Sequence, residues 1–507
     1  MRSQFSILTT VLVCSLQAEV KLPALLSDHM LLQQGVPVRL WGTASPREAV
    51  HVSLPGQKIT VITGSTGKWQ LTLAPLKPGK AFDLTINQTV IHDVLVGDVW
   101  VGSGQSNMEF PMSRTDNADA EIAAANNPEI RLFTVKRVVA NQAADDVTGL
   151  WSVCTPESVK QFSAVAYFFG REINQTRHIP VGLIHTSWGG TPAQAWTEPS
   201  YLQDDLALRP YLSDWQKALD SYPAAKLKYD SQLVLWNEAV ISAKAEGKTP
   251  PNKPNPPPGP GHPNTPSGLY NAMIAPLTPY TIRGALWYQG ESNGNQKEAW
   301  LYRRLFTSMI ESWREAWGQG SFPFYFVQLA NFRTNGWWPL LRESQNMALE
   351  LRNTGEALAI DIGNPLDVHP TNKQEVGHRL ALAARALTYG EKLEYSGPAY
   401  REMTVMASRA QLWFDHVGGG LQAKGGTLSG FWIAGADRKF VQAQAKIEGE
   451  SIIVTSPEVP EPVAVRYAWQ DDPAVTLYNR EGLPASSFRT DTWKDPKACG
   501  AGPCPVQ

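Results

Sequence analysis

Between residues 94 and 388 short, continuously apolar runs alternate with longer amphipathic stretches, and this alternation constrains the fold more than any other feature. The runs are DVLVGDVWVGSG, HIPVGLIHTSWGG, TIRGALWYQGES, FPFYFVQLANF and EALAIDIG. Between them lie VKQFSAVAYFFGREINQ and RRLFTSMIESWREAWG, and EVGHRLALAARALTYG follows the last run. A strand with no polar face is covered on both sides, and such strands separated by helices predict an α/β domain built on a parallel sheet. Residues 19–93 read differently. Segments such as VPVRLWGTA, AVHVSLPG and KWQLTLAPL alternate apolar and polar residues and end in turn formers, which predicts a small β-sandwich-like module. Residues 389–507 return to that alternation in REMTVMASRAQLWFDHV, SIIVTSP and PVAVRYAWQ, predicting a C-terminal β-rich module. The Pro-rich insert 249–268 cannot form helix or central strand and is expected as an exposed loop of the α/β domain.

Composition sets the class. With 507 residues, 43% of them hydrophobic and 18% charged, the chain is too apolar to be disordered. A net charge of −2 gives no electrostatic case for nucleic acid or an anionic membrane as partner. Residues 1–18 have the layout of a secretory signal peptide: Arg2, an apolar run over residues 5–16, and Ala18 at a plausible cleavage position. They predict export to the periplasm or outside the cell. Cys14 would suit a lipoprotein-type anchor, but Val13 before it fits such a site poorly. No later apolar run reaches the ~18 residues of a membrane span. Cys499 and Cys504 in CGAGPC are close enough to pair, Cys154 is expected as a buried free thiol, and no cysteine spacing suggests a metal.

In an open α/β sheet a ligand site is expected beyond the carboxyl ends of the strands, and three run ends carry unusual residues. In VWVGSGQSNMEF the small residues 102–104 allow a tight turn, after which Ser106 begins a helix. There its backbone N–H would meet developing negative charge. The G-x-S-x-G elbow is absent because position 108 is Met, so this segment alone reads equally as a nucleophile or a helix cap. In IHTSWGGTPAQAW, Gly189 and Gly190 let backbone N–H groups approach a ligand, or simply make a turn. In LWYQGESNGN, Gln289, Glu291, Ser292 and Asn293 must bond to one another, to backbone or to substrate if they are buried. A serine nucleophile needs a base. His369 in DVHPTNKQEVGHRLAL, with Asp367 two residues before it to hold the imidazole, stands above the other histidines. Trp188, Trp196, Trp287, Trp337 and Trp338 lie near these segments as sugar-facing rings or as core.

Taken in order, GQSNMEF, GGTPAQAW, PSGLYNAMIAPL with LWYQGESN, and DVHPTNKQEVGHRLAL resemble the sialate O-acetylesterases of the SGNH (GDSL-like) hydrolase superfamily. The resemblance extends through LPALLSDHMLLQQ and VRYAWQDDPAVTLYNREGLPASSFRTD, covering roughly residues 22–492. It implies an SGNH-type parallel-sheet hydrolase domain with flanking β modules. Ser106 would be the nucleophile, His369 the general base and Gly189 an oxyanion-hole donor. The superfamily's further donor is an asparagine; here the segment starts with Gln289, which takes that role, with Asn293 in reserve. The superfamily commonly places Asp three residues before His, a position held by Leu366, so Asp367 is the weakest member of the triad. Gly190, Glu291, Asn293 and Trp188 fall on the substrate side. The chemistry implied is acyl transfer from an O-acetylated sugar to serine and then to water, with no metal or organic cofactor. Sialic acid is the substrate implied. The residues alone leave acetylxylan or pectin open, as well as a non-catalytic glycan-binding protein on the same scaffold. A neutral histidine base predicts loss of activity below about pH 6.5.

Overall fold

The computed structural model describes residues 20–334 and 336–493. Residues 1–19, where a signal segment is expected, with Cys14, and also Cys499 and Cys504, lie outside the described residues. Seven strands make the central sheet: β1 (Thr89–Gly104), β2 (Asn127–Thr134), β3 (Trp151–Cys154), β4 (Val181–Ser187), β5 (Gly284–Tyr288), β6 (Phe324–Gln328) and β7 (Thr354–Leu358), in the order β7-β6-β5-β1-β4-β2-β3. Neighbours pair in parallel except β3, which runs antiparallel to β2. Strands β4 to β7 are buried along their whole length, as continuous apolar runs require.

Alternate side chains cross to opposite faces, and both faces are covered. Phe324 and Phe326 of β6 meet Trp313 and Phe306 of the helix Gln296–Trp317. Between them, Tyr325 stacks on Trp100, which in turn meets Phe169 of the helix Ala164–Arg177. The chain fills one side of β1 with β2, β3 and β4, then the other with β5, β6 and β7. The crevice at that reversal, beyond the carboxyl ends of β1, β4 and β5, is the place for a ligand.

The expected boundary at residue 93 falls inside β1. This 16-residue strand first pairs antiparallel with Phe82–Ile86, then takes Leu31–Gln33 in parallel, then enters the central sheet. Its burial changes from alternating to continuous at Val94. The change in character read from sequence thus marks where one strand becomes covered on both faces. The C-terminal module holds two four-stranded antiparallel sheets around its own core, which includes Leu412, Phe431, Ile433 and Ile452. Buried Arg342 fastens it to the α/β domain by donating to the carbonyls of Leu329 and Ala330 on one side and Gln470 and Asp471 on the other. Residues 249–267 form neither helix nor strand, as their prolines dictate. Before them runs the helix Pro210–Ala245, which buries none of its residues. Cys154 is free and buried, and burial pushes its thiol up to about 12. Among the described residues no helix is long and apolar enough to cross a membrane, and no three His, Cys, Asp or Glu side chains gather as a metal cluster.

On β7, Glu356 is buried 3.5 Å from the Gln328 amide, and desolvation pushes its carboxyl up to about 8. The folded protein keeps that proton after the unfolded chain has released it near the ordinary 4.5, so this group's contribution to stability falls as pH rises from 4.5 to 8. Glu356→Gln, which cannot ionise, should therefore gain Tm relative to wild type over that interval and hold the gain above it. Thermal melts at stepped pH check this; a constant difference between the two proteins would contradict it.

Candidate active site

β1 ends at Gly104, whose φ of +135° and close approach to its neighbour exclude a side chain: a Cβ there would lie 2.2 Å from the Tyr288 carbonyl oxygen of β5. The next N–H, of Gln105, donates to that carbonyl at 3.0 Å, and Gln105 Oε1 accepts the Ser292 N–H at 3.2 Å. Gln105 is the N-cap, so Ser106 is the first residue of the four-residue helix Ser106–Glu109 rather than its cap. The N–H groups of Met108 and Glu109 close back on the Gln105 carbonyl, and those of Ser106 and Asn107 sit at the open end of the turn.

His369 reaches this point from the loop after β7. Its Nε2 lies 2.9 Å from Ser106 Oγ, so the hydroxyl can donate to the imidazole across 263 positions of sequence. Asp367 Oδ1 lies 3.3 Å from Nδ1 and accepts the His369 backbone N–H at 2.9 Å. The Asp367 side chain is 55% exposed, which leaves its carboxylate largely solvated.

Beneath the pair runs a buried polar chain of which sequence reasoning named only Glu291. Asn107 Nδ2 donates to the Val368 carbonyl at 2.9 Å and to Glu291 Oε1 at 2.6 Å, and Asn107 Oδ1 accepts Lys373 Nζ at 2.5 Å. The Lys373 ammonium also lies over the rings of Phe110 and Tyr288. Burial pushes Lys373 down to about 7, against the opposing pull of Glu291 and Asp367. Burial pushes Glu291 up, while the Asn107 hydrogen bond and the charges of Lys373 and His369 pull it down. One signal was available: Lys373 opens the helix Lys373–Leu387, where the dipole disfavours a cation, so an outside partner was needed.

The polar residues after β5 bond mostly to neighbouring segments, with one bond between Gln289 and Asn293. Gln289 Nε2 donates to the Thr191 carbonyl and to Asn293 Oδ1, and Gln289 Oε1 accepts the Tyr302 hydroxyl. Asn293 Nδ2 donates to Gln194 Oε1 and Glu298 Oε2, and its Oδ1 also accepts the Ala193 N–H. With both amide hydrogens engaged, Gln289 offers no donor to Ser106, and Asn293 is equally occupied. Both hold the floor of the site, as does Glu291 through Asn107. Trp196, Trp287, Trp337 and Trp338 are buried; Trp196 and Trp287 pack edge to face in the core, so these rings are not sugar platforms. Trp188 alone of the five is partly exposed. Gly189 lies against the nucleophile, with a Cβ there 3.2 Å from Ser106 Cβ, and its N–H donates to Glu109 Oε2. Gly190 turns through a φ of +75° into open space.

A hydroxyl in contact with an imidazole, flanked by backbone N–H groups at the carboxyl edge of a parallel sheet, is the equipment of a serine ester hydrolase. Residues 96–236 and 262–386 match the family described as carbohydrate esterase, sialic acid-specific acetylesterase. Sialate O-acetylesterase of Homo sapiens is 33% identical over 431 residues, 76% of this chain and 74% of that protein. The Mus musculus sialate O-acetylesterase is 31% identical over 441 residues, 76% and 77% of the two chains. A crystal structure of a carbohydrate acetylesterase from Xanthomonas citri superposes with a TM-score of 0.80 at 38% identity, covering 94% of this chain and all of that one. This chain belongs to the sialic acid-specific acetylesterase family of carbohydrate esterases and is a carboxylic ester hydrolase.

Ser106→Ala should lower kcat on p-nitrophenyl acetate by about 10³-fold or more with an unchanged circular dichroism spectrum. Near wild-type turnover would remove Ser106 from the chemistry. Asp367→Asn should cost about tenfold or less, because a solvated carboxylate 3.3 Å from Nδ1 orients the ring only weakly. A loss comparable to that of Ser106→Ala would make Asp367 a full triad member.

Proposed function

We propose that this protein removes O-acetyl groups from sialic acids through an acyl-enzyme on Ser106. The observation that carries this reading is the 2.9 Å contact between Ser106 Oγ and His369 Nε2, in a chain of this family. His369 Nε2 takes the hydroxyl proton as Oγ attacks the acetyl carbonyl. The tetrahedral oxyanion is met by the N–H of Ser106, and by that of Gly189 once its bond to Glu109 is released; one such donor is worth about 3–4 kcal/mol of barrier. The imidazolium returns its proton to the departing sugar oxygen, leaving acetyl-Ser106. Water then gives a proton to His369 as it attacks the acetyl group, and acetate leaves as the proton returns to Oγ. The chain's similarity to the curated sialate O-acetylesterases supports the sugar assignment.

A second reading rests on the Xanthomonas citri relative, whose name specifies a carbohydrate acetylesterase without naming the sugar. It makes acetylated plant polysaccharide, xylan or pectin, the competing substrate. Acetate release from O-acetylated sialic acid and from acetylxylan, measured side by side with Ser106→Ala as control, separates the two. The sialate reading expects release from the sialic acid that Ser106→Ala abolishes; release from xylan alone would overturn it.

A further inference from the structure

The carboxylate of Glu109 occupies a place that the reaction needs. Its Oε2 accepts the Gly189 N–H at 2.6 Å, and its Oε1 accepts Arg137 Nη1 at 2.8 Å. The same glycine borders the nucleophile, since a Cβ built on it would lie 3.2 Å from both Ser106 Cβ and Glu109 Oε2. The Arg137 guanidinium also lies over the Trp188 ring, 5.8 Å from its centre. An internal anion, its cation, an aromatic ring and a donor N–H therefore form one patch beside Ser106.

An N–H has a single proton. While it carries a short, charge-assisted bond to a carboxylate, it cannot stabilise the oxyanion of a tetrahedral intermediate. A second negative charge on the same donor would also repel the first. The ion pair that holds Glu109 in place is half open to water, with side-chain exposures of 49% for Arg137 and 30% for Glu109. Pairs so exposed are weakly held. A guanidinium has a planar fork suited to any carboxylate, including one that arrives on a substrate.

We infer that Arg137 is a subsite for a substrate carboxylate and that Glu109 is its exchangeable internal occupant. An acidic sugar takes Arg137 from Glu109; Glu109 then leaves Gly189, and the freed N–H meets the oxyanion. The inference rests on the esterase reading above and deepens it, because an acidic sugar then completes the catalytic centre that a neutral ester leaves blocked. Sialic acid and the uronic acid of pectin share the required carboxylate.

The test compares kcat/KM for acetate release by the full chain on two matched pairs. One is O-acetylated sialic acid and its carboxyl methyl ester; the other is acetylated pectin with free and with methyl-esterified carboxyls. Wild type should prefer the free acid by about tenfold or more, the scale of one hydrogen bond to a charged group. Arg137→Ala should bring the acid down to the level of its ester. Glu109→Ala should raise kcat on the ester by about tenfold or more, since one oxyanion donor is worth about 10²–10³ in rate. Equal kcat/KM for acid and ester in both wild-type pairs, or a Glu109→Ala protein slower on the esters, would overturn the subsite while acetate release still supported the esterase. Preference within the pectin pair, with both sialic acid compounds inert, would uphold the subsite and overturn the sialate reading.

Discussion

The carboxamide of Asn107 is the joint on which the site depends. It bonds the Val368 carbonyl across 261 positions of sequence, and its oxygen takes the ammonium of Lys373. Asn107 follows the nucleophile, Val368 precedes the histidine, and Lys373 opens the helix behind that loop. One side chain thus bridges the two segments that carry the serine and the histidine, beside the Asp116 N–H that donates to the Thr371 carbonyl. Its second amide hydrogen goes to Glu291, which ties the end of β5 into the same joint. Buried polar groups gain strength from a low local dielectric when their bonds are made. Here Asn107, with no charge of its own, bonds Val368, Glu291 and Lys373, while the second carboxylate oxygen of Glu291 is buried with no hydrogen-bond partner among the described residues. The ammonium and the carboxyl are pushed by burial toward their neutral forms, and the amide between them serves either state.

The sheet supplies the rest of the alignment. The backbone of β1 is held on both edges by β5 and β4, and its Trp100 packs against Phe169 and Tyr325. Rigid strands ending together give the turn at Gly104, the glycines after β4 and the polar residues after β5 a common rim. Asp367 stands apart from this order. It lies on the exposed loop, where its carboxylate meets the imidazole and the His369 N–H, while Asn107 holds the preceding carbonyl.

The parts that were legible in the sequence are those written in local pattern. Continuous apolar runs gave β1, β4, β5, β6 and most of β7, and the residues at the strand ends gave Ser106 and Gly189; His369 stood out by its D-V-H-P loop. The strands β2 and β3 were not legible: NPEIRLFT begins with polar residues and a proline, and β3 has only four residues. The helix Pro210–Ala245 carries no apolar stripe to betray it. The polar cluster after β5 was legible as a buried network but not as to which atoms it faced. Gln289 has the chemistry of an oxyanion donor, yet Thr191, Asn293 and Tyr302 claim its amide, and these come from three different segments. The contacts of Asn107 with Lys373, and of Glu109 with Gly189 and Arg137, depend on side-chain direction across distant segments, which no periodicity encodes.

The path of β1 has a consequence for how this enzyme can be dissected. The strand that delivers the serine begins as the partner of Phe82–Ile86 and carries Leu31–Gln33 along its flank before it reaches the core. The N-terminal layer is therefore no detachable appendage. Cutting the gene at the visible change of character would strip half a ladder from the very element that sets the nucleophile, so a minimal catalytic fragment has to start upstream of Leu31.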